Sequence, residues 1–389
     1  MNQKKVHYLC YGINDKTEEL LKYFPSAQPK ISYLIDSIKA AGYQVNMVSS
    51  CMSNRGFFKR KRFEIDEAEK HIFFSSFYSK FKLFRKLSLI GITLQTILYV
   101  LFKVKKGDCL LVYHSLNYIL PLKIINGIFK KPFILEVEEF YSAVNENHRK
   151  FESKEIEFIN SANGYLLVND LMKEKIDLRN KPMIISYGNY KVPLKKKENI
   201  FKDSQFINIV YAGVIEDNRK AAFLAAKTAR YLNENYKIHI LGFGNNKDIK
   251  ELRELINNIN TECGSEKVIF HGKKSGNQYT DFLQSCDIAL SCHTYSETEK
   301  ASADYTFPSK IITYLANNLR VVSADIRCVR ESMMSSYILF YEENSAMSIA
   351  RAIKEIDINT SYNSKNEILN LDREFILKLS QLFNETKKK

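Results

Sequence analysis

Four stretches of this chain carry residues able to do chemistry. In "FPSKIITYL", Ser309 and Lys310 fall at the start of an expected helix. A cation there faces the positive end of the helix dipole, at a cost of about 0.3–1 kcal/mol when no anion sits alongside. In "YAGVIEDNRKAAF", Arg219 and Lys220 stand just before the next expected helix, after Gly213. Cations at a helix N-terminus reinforce its field only toward an anion. Two such sites on neighbouring strand ends suit a diphosphate. Lysines there would offset the charge that a leaving diphosphate develops in group transfer. The plain alternative is a solvated charge pair.

The third stretch, "FILEVEEFYS", holds Glu136, Glu138 and Glu139. Alternation along a strand puts Glu136 and Glu138 on one face and Glu139 at the strand's end. Carboxylates in an apolar strand are costly unless paired or bound. Glu138 or Glu139 is a candidate base for an acceptor hydroxyl, because desolvation lifts a carboxyl pKa toward the working pH. A structural ion pair with the basic surroundings is the alternative. In the fourth stretch, "LLVYHSLNY", His114 ends a strand. It either points into the same site or serves as a hydrogen-bonded structural residue.

The elements that must position these residues alternate in type. The first half reads as strands "KVHYLCYG", "YQVNMVSS", "DCLLVYHS", "PFILEVEE", "GYLLVN" and "PMIISYG", with helices at "PKISYLIDSIKAAG", 84–104 and 119–129. In the first helix Ile31, Leu34, Ile35 and Ile38 share a face, and Gly42 suits its C-terminal cap. The second half repeats this alternation, with "INIVYAG", "YKIHILGFG", "VIFHG", "DIALSCH" and "LRVVSA" as strands separated by helical segments. Continuous apolar strands with intervening helices imply parallel sheets covered on both faces. The expected fold is α/β, two doubly wound Rossmann-like domains facing a central cleft, with ligands beyond the carboxyl ends of the strands. A linker at 191–205, "KVPLKKKENIFKDSQ", separates residues 1–195 from 206–370, and 371–389 forms a C-terminal helix or tail packing back on the first domain.

Bulk composition narrows the class. The chain has 389 residues, 45% hydrophobic and 26% charged, a globular balance. Its seven cysteines form no regular framework and read as reduced thiols in a cytoplasmic protein. "MNQKKVHYLCYG" reads as a first strand, not a signal peptide. The apolar run Leu87–Phe102 spans 16 residues, short of the roughly 20 a bilayer needs, and reads as a buried core helix, with a membrane-dipping element as the alternative. The net charge is +14 and is carried by one half: residues 1–200 hold 33 Lys+Arg against 20 Asp+Glu, and 201–389 hold 25 against 24. The N-terminal half therefore expects an anionic partner. Its most basic stretch, "RGFFKRKRF" (55–63), suits an anionic membrane surface or nucleic acid by charge, but no nucleic-acid motif accompanies it. "GFGNNK" is not a dinucleotide fingerprint.

Taken in order, Gly213 with Lys220, "LGFGN", "VIFHG", "FLQSCDIALS" and "FPSKIITYLANNLRVVS" resemble the donor half of GT-B glycosyltransferases, family 4 in particular, over 207–325. The resemblance implies a donor diphosphate held by Lys220 and Lys310, with Arg219 or Lys310 taking the place of an arginine that the family keeps where this chain has Val214. It implies ligand-facing glycines at Gly242, Gly244 and Gly272, and donor contacts from Ser309 and Thr313. The family's Glu-x7-Glu positions are here Tyr305 and Thr313, a departure that touches the sugar and ribose contacts. Glu138 stands where the family often has a histidine near the reacting sugar.

The resulting expectation is an enzyme that moves a sugar from a nucleotide diphosphate sugar to a glycan acceptor, lipid-linked, in capsule or O-antigen type polysaccharide synthesis. It is expected to need no metal or other cofactor and to favour retention over inversion. The setting is cytoplasmic and peripheral at the inner face of the cell membrane, with the basic N-terminal half against anionic lipid and no nucleic-acid partner. The alternatives are a non-catalytic binder of sugar nucleotide or glycan and, less favoured, a basic nucleic-acid-binding protein.

Overall fold

The computed structural model describes residues 4–144, 146–194, 199–201, 205–216, 220–293 and 303–386. They fall into two compact units: Met1–Asn189 with Asp372–Lys389, and Tyr190–Leu371.

Unit 1 contains β1 (Lys5–Cys10), β2 (Gln44–Ser49), β3 (Phe57–Phe58), β4 (Lys61–Glu64), β5 (Glu69–Phe73), β6 (Ser76–Phe77), β7 (Cys109–Tyr113), β8 (Ile134–Val137), β9 (Gly164–Leu167) and β10 (Met183–Ile185). Eight of these form one sheet in the order β10-β9-β8-β7-β1-β2-β5-β4. All neighbours are parallel except β4 against β5. The helices are α1 (Gln28–Ala40), α2 (Lys82–Lys103), α3 (Ile119–Phe129), α4 (Tyr141–Val144) and α5 (Glu152–Asn160). Residues 372–386 return to this unit: Tyr33 donates to Asp372 Oδ1 at 2.7 Å and stacks on Phe375, while Phe383 packs on Tyr43.

Unit 2 holds β11 (Ile207–Ile215), β12 (Tyr236–Gly244), β13 (Val268–Gly272), β14 (Ile288–Ser291), β15 (Arg320–Ala324) and β16 (Ile338–Tyr341). Between them lie α6 (Ala221–Thr228), α7 (Asn246–Glu262), α8 (Gly276–Leu283), α9 (Lys310–Ala316) and α10 (Arg327–Arg330), and α11 (Ala346–Lys354) and α12 (Ser364–Thr386) follow. The sheet order, β13-β12-β11-β14-β15-β16, is the doubly wound order with its reversal between β11 and β14. Every described strand pair is parallel, so each crossover helix covers a face and the strands are apolar on both sides.

The reversal creates the site. β11 and β14 pair only through Ile209 and Val210, and then part. Beyond that point the backbone of Ala212 turns to a side chain: Tyr314 of α9 accepts from Ala212 N at 2.9 Å and donates to Ala212 O at 3.3 Å. Tyr314 is fully buried, so this phenol fastens α9 to β11. Tyr314→Phe strands both groups and is expected to cost about 1–3 kcal/mol, read as a lower urea midpoint at unchanged slope.

One expectation changes. The Leu87–Phe102 segment is not a buried core helix: α2 packs one side on the sheet and leaves Leu87, Ile90, Leu94 and Leu98 about half exposed. The basic 55–63 stretch supplies β3 and most of β4. β4 closes one sheet edge with Lys61 and Arg62 exposed, which suits an edge that must not recruit further strands.

Candidate functional site

Lys310 opens α9, and the position of its ammonium is set by β11. Nζ lies 4.7 Å from the centre of the Tyr211 ring, a cation–π contact. A Cβ on Gly213 would lie 3.0 Å from Lys310 Nζ and 2.8 Å from the Tyr211 hydroxyl. The missing side chain at 213 is therefore the space into which the cation and phenol fit. Burial pushes the Cys292 thiol, just past β14, up to about 12, and the Lys310 charge acts against that shift. The ammonium thus lies at the carboxyl end of β11, beside the strand reversal where doubly wound sheets take ligands.

Lys220 caps α6 with φ +42°, a left-handed conformation that a non-glycine residue adopts at a cost of about 1–3 kcal/mol. Its side chain is exposed. Arg219 lies outside the described residues. Ser309 is exposed at the N-cap of α9, and its side chain caps nothing. Thr313 is half-buried one turn into that helix, and Tyr305 is half-buried before it.

The three glycines after the strands differ in cause. A Cβ on Gly242 would lie 2.2 Å from the Gly213 carbonyl oxygen, and one on Gly244 would lie 2.2 Å from that of Ile215. Both are demanded by the backbone of β11 where it pairs in register with β12. Their expected reason, room for a ligand, gives way to room for a strand. Gly272 has φ +70° and open space around it, so there the turn itself requires glycine.

In unit 1 the carboxylates separate. β8 ends at Val137, which leaves Glu136 inside the strand and Glu138 and Glu139 beyond it. Glu138 forms an ion pair with Lys30, whose ammonium also donates to Ser186 O at 3.1 Å. The ion pair holds this carboxylate in place just beyond β8. Glu139 is half-buried, and its carbonyl meets His114 Nδ1 at 3.1 Å. His114 is 1% exposed, lies 6.0 Å from the Phe158 ring and approaches Glu155 at 3.4 Å. Glu155 itself accepts from the N–H groups of Tyr141 and Ser142 at 2.7 and 2.8 Å. Burial lowers the His114 pKa to about 4, so the ring is neutral. Instead of opening to solvent, it sits enclosed in the fold and orients the chain after β8.

The residue that sequence reasoning passed over is Glu136. It is fully buried, accepts from the Tyr8 hydroxyl, and its Oε1 has no hydrogen-bond partner among the described residues. Desolvation first, and the Glu138 charge second, push its pKa up to about 8. Alternation had already placed Glu136 inside; Tyr8, 128 positions away, left no local signal.

A pKa raised on folding means that the native state holds the proton more tightly. The stability Glu136 contributes is present below pH 4.5 and is lost as pH rises toward 8. Glu136→Gln keeps the shape without the proton. It is expected to flatten the loss of stability between pH 5 and 9, by about 2–4 kcal/mol at the alkaline end. Urea unfolding across that pH range is the readout. A pH–stability curve parallel to that of the wild type would show that Glu136 does not hold the proton.

Residues 207–357 match the model of the family described as Glycosyl transferases group 1. They include Gly213, Lys220, Gly242, Gly244, Gly272, Ser309, Lys310 and Thr313, and the match lies within unit 2. No curated protein matches the chain. Among solved structures it is similar to a trehalose-6-phosphate protein from E. coli bound with UDP-2-fluoro glucose (TM-score 0.68, 10% identity, 99% of each chain). The α,α-trehalose 6-phosphate synthase of Burkholderia multivorans gives TM-score 0.66 at 8% identity, covering 100% of this chain and 97% of that one. Anabaena HepE in complex with UDP and glucose gives 0.63 at 11% identity, covering 97% and 100%. At these identities the likeness shows the fold, GT-B with two Rossmann-like domains.

Proposed function

We propose that the protein is a glycosyltransferase that moves a sugar from a nucleotide diphosphate sugar to a glycan acceptor. The observation that carries this reading is the Lys310 ammonium, seated over Tyr211 and against Gly213 at the strand reversal of the matched domain. A fixed cation at that point neutralises the charge that grows on a departing nucleoside diphosphate, and being in place beforehand it needs no reorganisation when the bond breaks. Lys220 adds a second, exposed cation before α6. Because lysines supply this charge, the transfer is read as metal-independent, with retention the favoured outcome. The two similar structures bound with UDP-2-fluoro glucose, and with UDP and glucose, support a uridine diphosphate sugar as the first donor to try.

The acceptor in this reading is a lipid-linked glycan of the surface-polysaccharide type, met by the basic unit 1. Glu138, held by Lys30, orients or deprotonates its hydroxyl. A sugar phosphate is the second reading, favoured by the trehalose-phosphate synthases among the similar structures. The deciding experiment screens a panel of sugar nucleotides for slow hydrolysis and for thermal stabilisation, then offers the best donor lipid-linked glycans and sugar phosphates. Hydrolysis with any donor separates an enzyme from a binder. No stabilisation and no hydrolysis across the panel would overturn the reading.

A further inference from the structure

Helix α2 buries one side and leaves an apolar stripe exposed on the other. Its inward side holds Ile92, Tyr99 and Val100 together with polar groups, each with a partner. Ser88 Oγ accepts from Phe77 N at 3.0 Å, Gln95 bonds both the N–H and the carbonyl of Ser75 at 2.9 Å, and Thr96 donates to Ile92 O at 2.9 Å. Its outward side is Leu83, Leu87, Ile90, Leu94 and Leu98, between 47% and 66% exposed, at spacings of four and three that make one stripe. Phe81 and Phe102 extend the stripe at either end, at 72% and 73% exposed. An exposed apolar face this continuous marks an interaction surface, not ordinary scatter.

Charge defines what meets it. No charged residue interrupts 87–102, whereas Lys80, Lys82, Arg85 and Lys86 stand at one end and Lys103, Lys105 and Lys106 at the other. The neighbouring α3 adds exposed Leu120, Ile128 and Phe129, with Lys123, Lys130 and Lys131 beside them. Long cationic side chains bordering an apolar stripe reach naturally to phosphate headgroups while the stripe enters the acyl boundary. A second copy of the chain would set one cationic border against another, which disfavours self-association through this face.

We infer that the outward face of α2, with the edge of α3, docks unit 1 on an anionic lipid surface, the helix lying in the interface and not crossing it. The inner side stays committed to the fold: Leu89, Ile92, Thr93 and Thr96 line a cavity with Tyr11 and Tyr118, beyond the carboxyl end of β1. Docking would therefore bring the carboxyl end of β1 next to the bilayer. This inference stands on α2 itself and does not depend on the transfer reaction.

The test is co-sedimentation of the full-length protein with vesicles of phosphatidylglycerol and phosphatidylethanolamine, and with vesicles of phosphatidylcholine alone. The wild type is expected to bind the anionic vesicles and to bind the neutral ones at least tenfold more weakly. Leu94→Glu should abolish binding. Ile90→Ser with Leu94→Ser should weaken it at least tenfold with unchanged circular dichroism, which separates docking from folding. Lys82→Gln with Arg85→Gln and Lys86→Gln should remove much of the preference for anionic lipid and its salt sensitivity. Failure of the wild type to bind anionic vesicles, equal binding by Leu94→Glu, or a concentration-dependent dimer that Leu94→Glu dissolves without any vesicle binding would overturn the inference.

Discussion

Lys310→Ala is expected to lower sugar transfer by about 10²–10³-fold, the range seen when a preorganised partner for developing charge is removed. The loss should fall mainly on turnover, because the cation matters most when the diphosphate departs. Stabilisation by nucleoside diphosphate should shrink in the same variant. Gly213→Ala is the companion test. Its methyl would arrive 3.0 Å from Lys310 Nζ and 2.8 Å from the Tyr211 hydroxyl, both far ends of side chains that can swing aside. It should therefore fold, keep Lys310 and lose activity by displacing the ammonium. Wild-type turnover in Lys310→Ala, measured with a donor the wild type uses, would take the lysine out of the donor site.

Gly242→Ala is expected to have the largest effect on stability. The added Cβ meets the Gly213 carbonyl oxygen at 2.2 Å, and the obstacle is backbone in a paired strand, not a flexible side chain. The register Gly213 to Gly242 must open or β11 must shift, at a cost of about 3 kcal/mol or more. Low soluble yield, or a urea midpoint far below that of the wild type, is the readout. Gly272→Ala provides the contrast: open space with φ +70°, hence strain of about 1–2 kcal/mol without a clash. If the two variants were equally stable, the close approach of β11 and β12 would not be what selects glycine at 242. Because Gly213 is the partner that moves, Gly242→Ala should also disturb the seat of Lys310.

These residues mark where local reading stops. Ile31, Leu34, Ile35 and Ile38 announce α1 because helix periodicity is written in neighbours a turn apart, and the structure buries all four. The glycine ending "YKIHILG" was visible as glycine, but its reason lies in the carbonyl of another strand, and the one ending "INIVYAG" makes room for the side chains of Tyr211 and Lys310. The segment "LSLIGITLQTILYVLF" was legible as a helix, but its sequence did not decide between a core helix and one that meets a membrane. Hydrophobicity reports an aversion to water; it does not say whether protein or another apolar medium will relieve it. Only packing revealed that Ser88, Gln95 and Thr96 turn inward while the leucines turn out.

The order of apolar strands and amphipathic helices was enough to imply two doubly wound α/β units, since parallel strands require crossovers and crossovers require covered sheets. The presence of Lys310 at a helix start was equally plain. Its meeting with Tyr211 and Gly213, the raised pKa of Glu136, and the enclosure of His114 were decided by tertiary packing. Each depends on elements brought together from distant parts of the chain, and burial, not residue type, sets what a charge costs there.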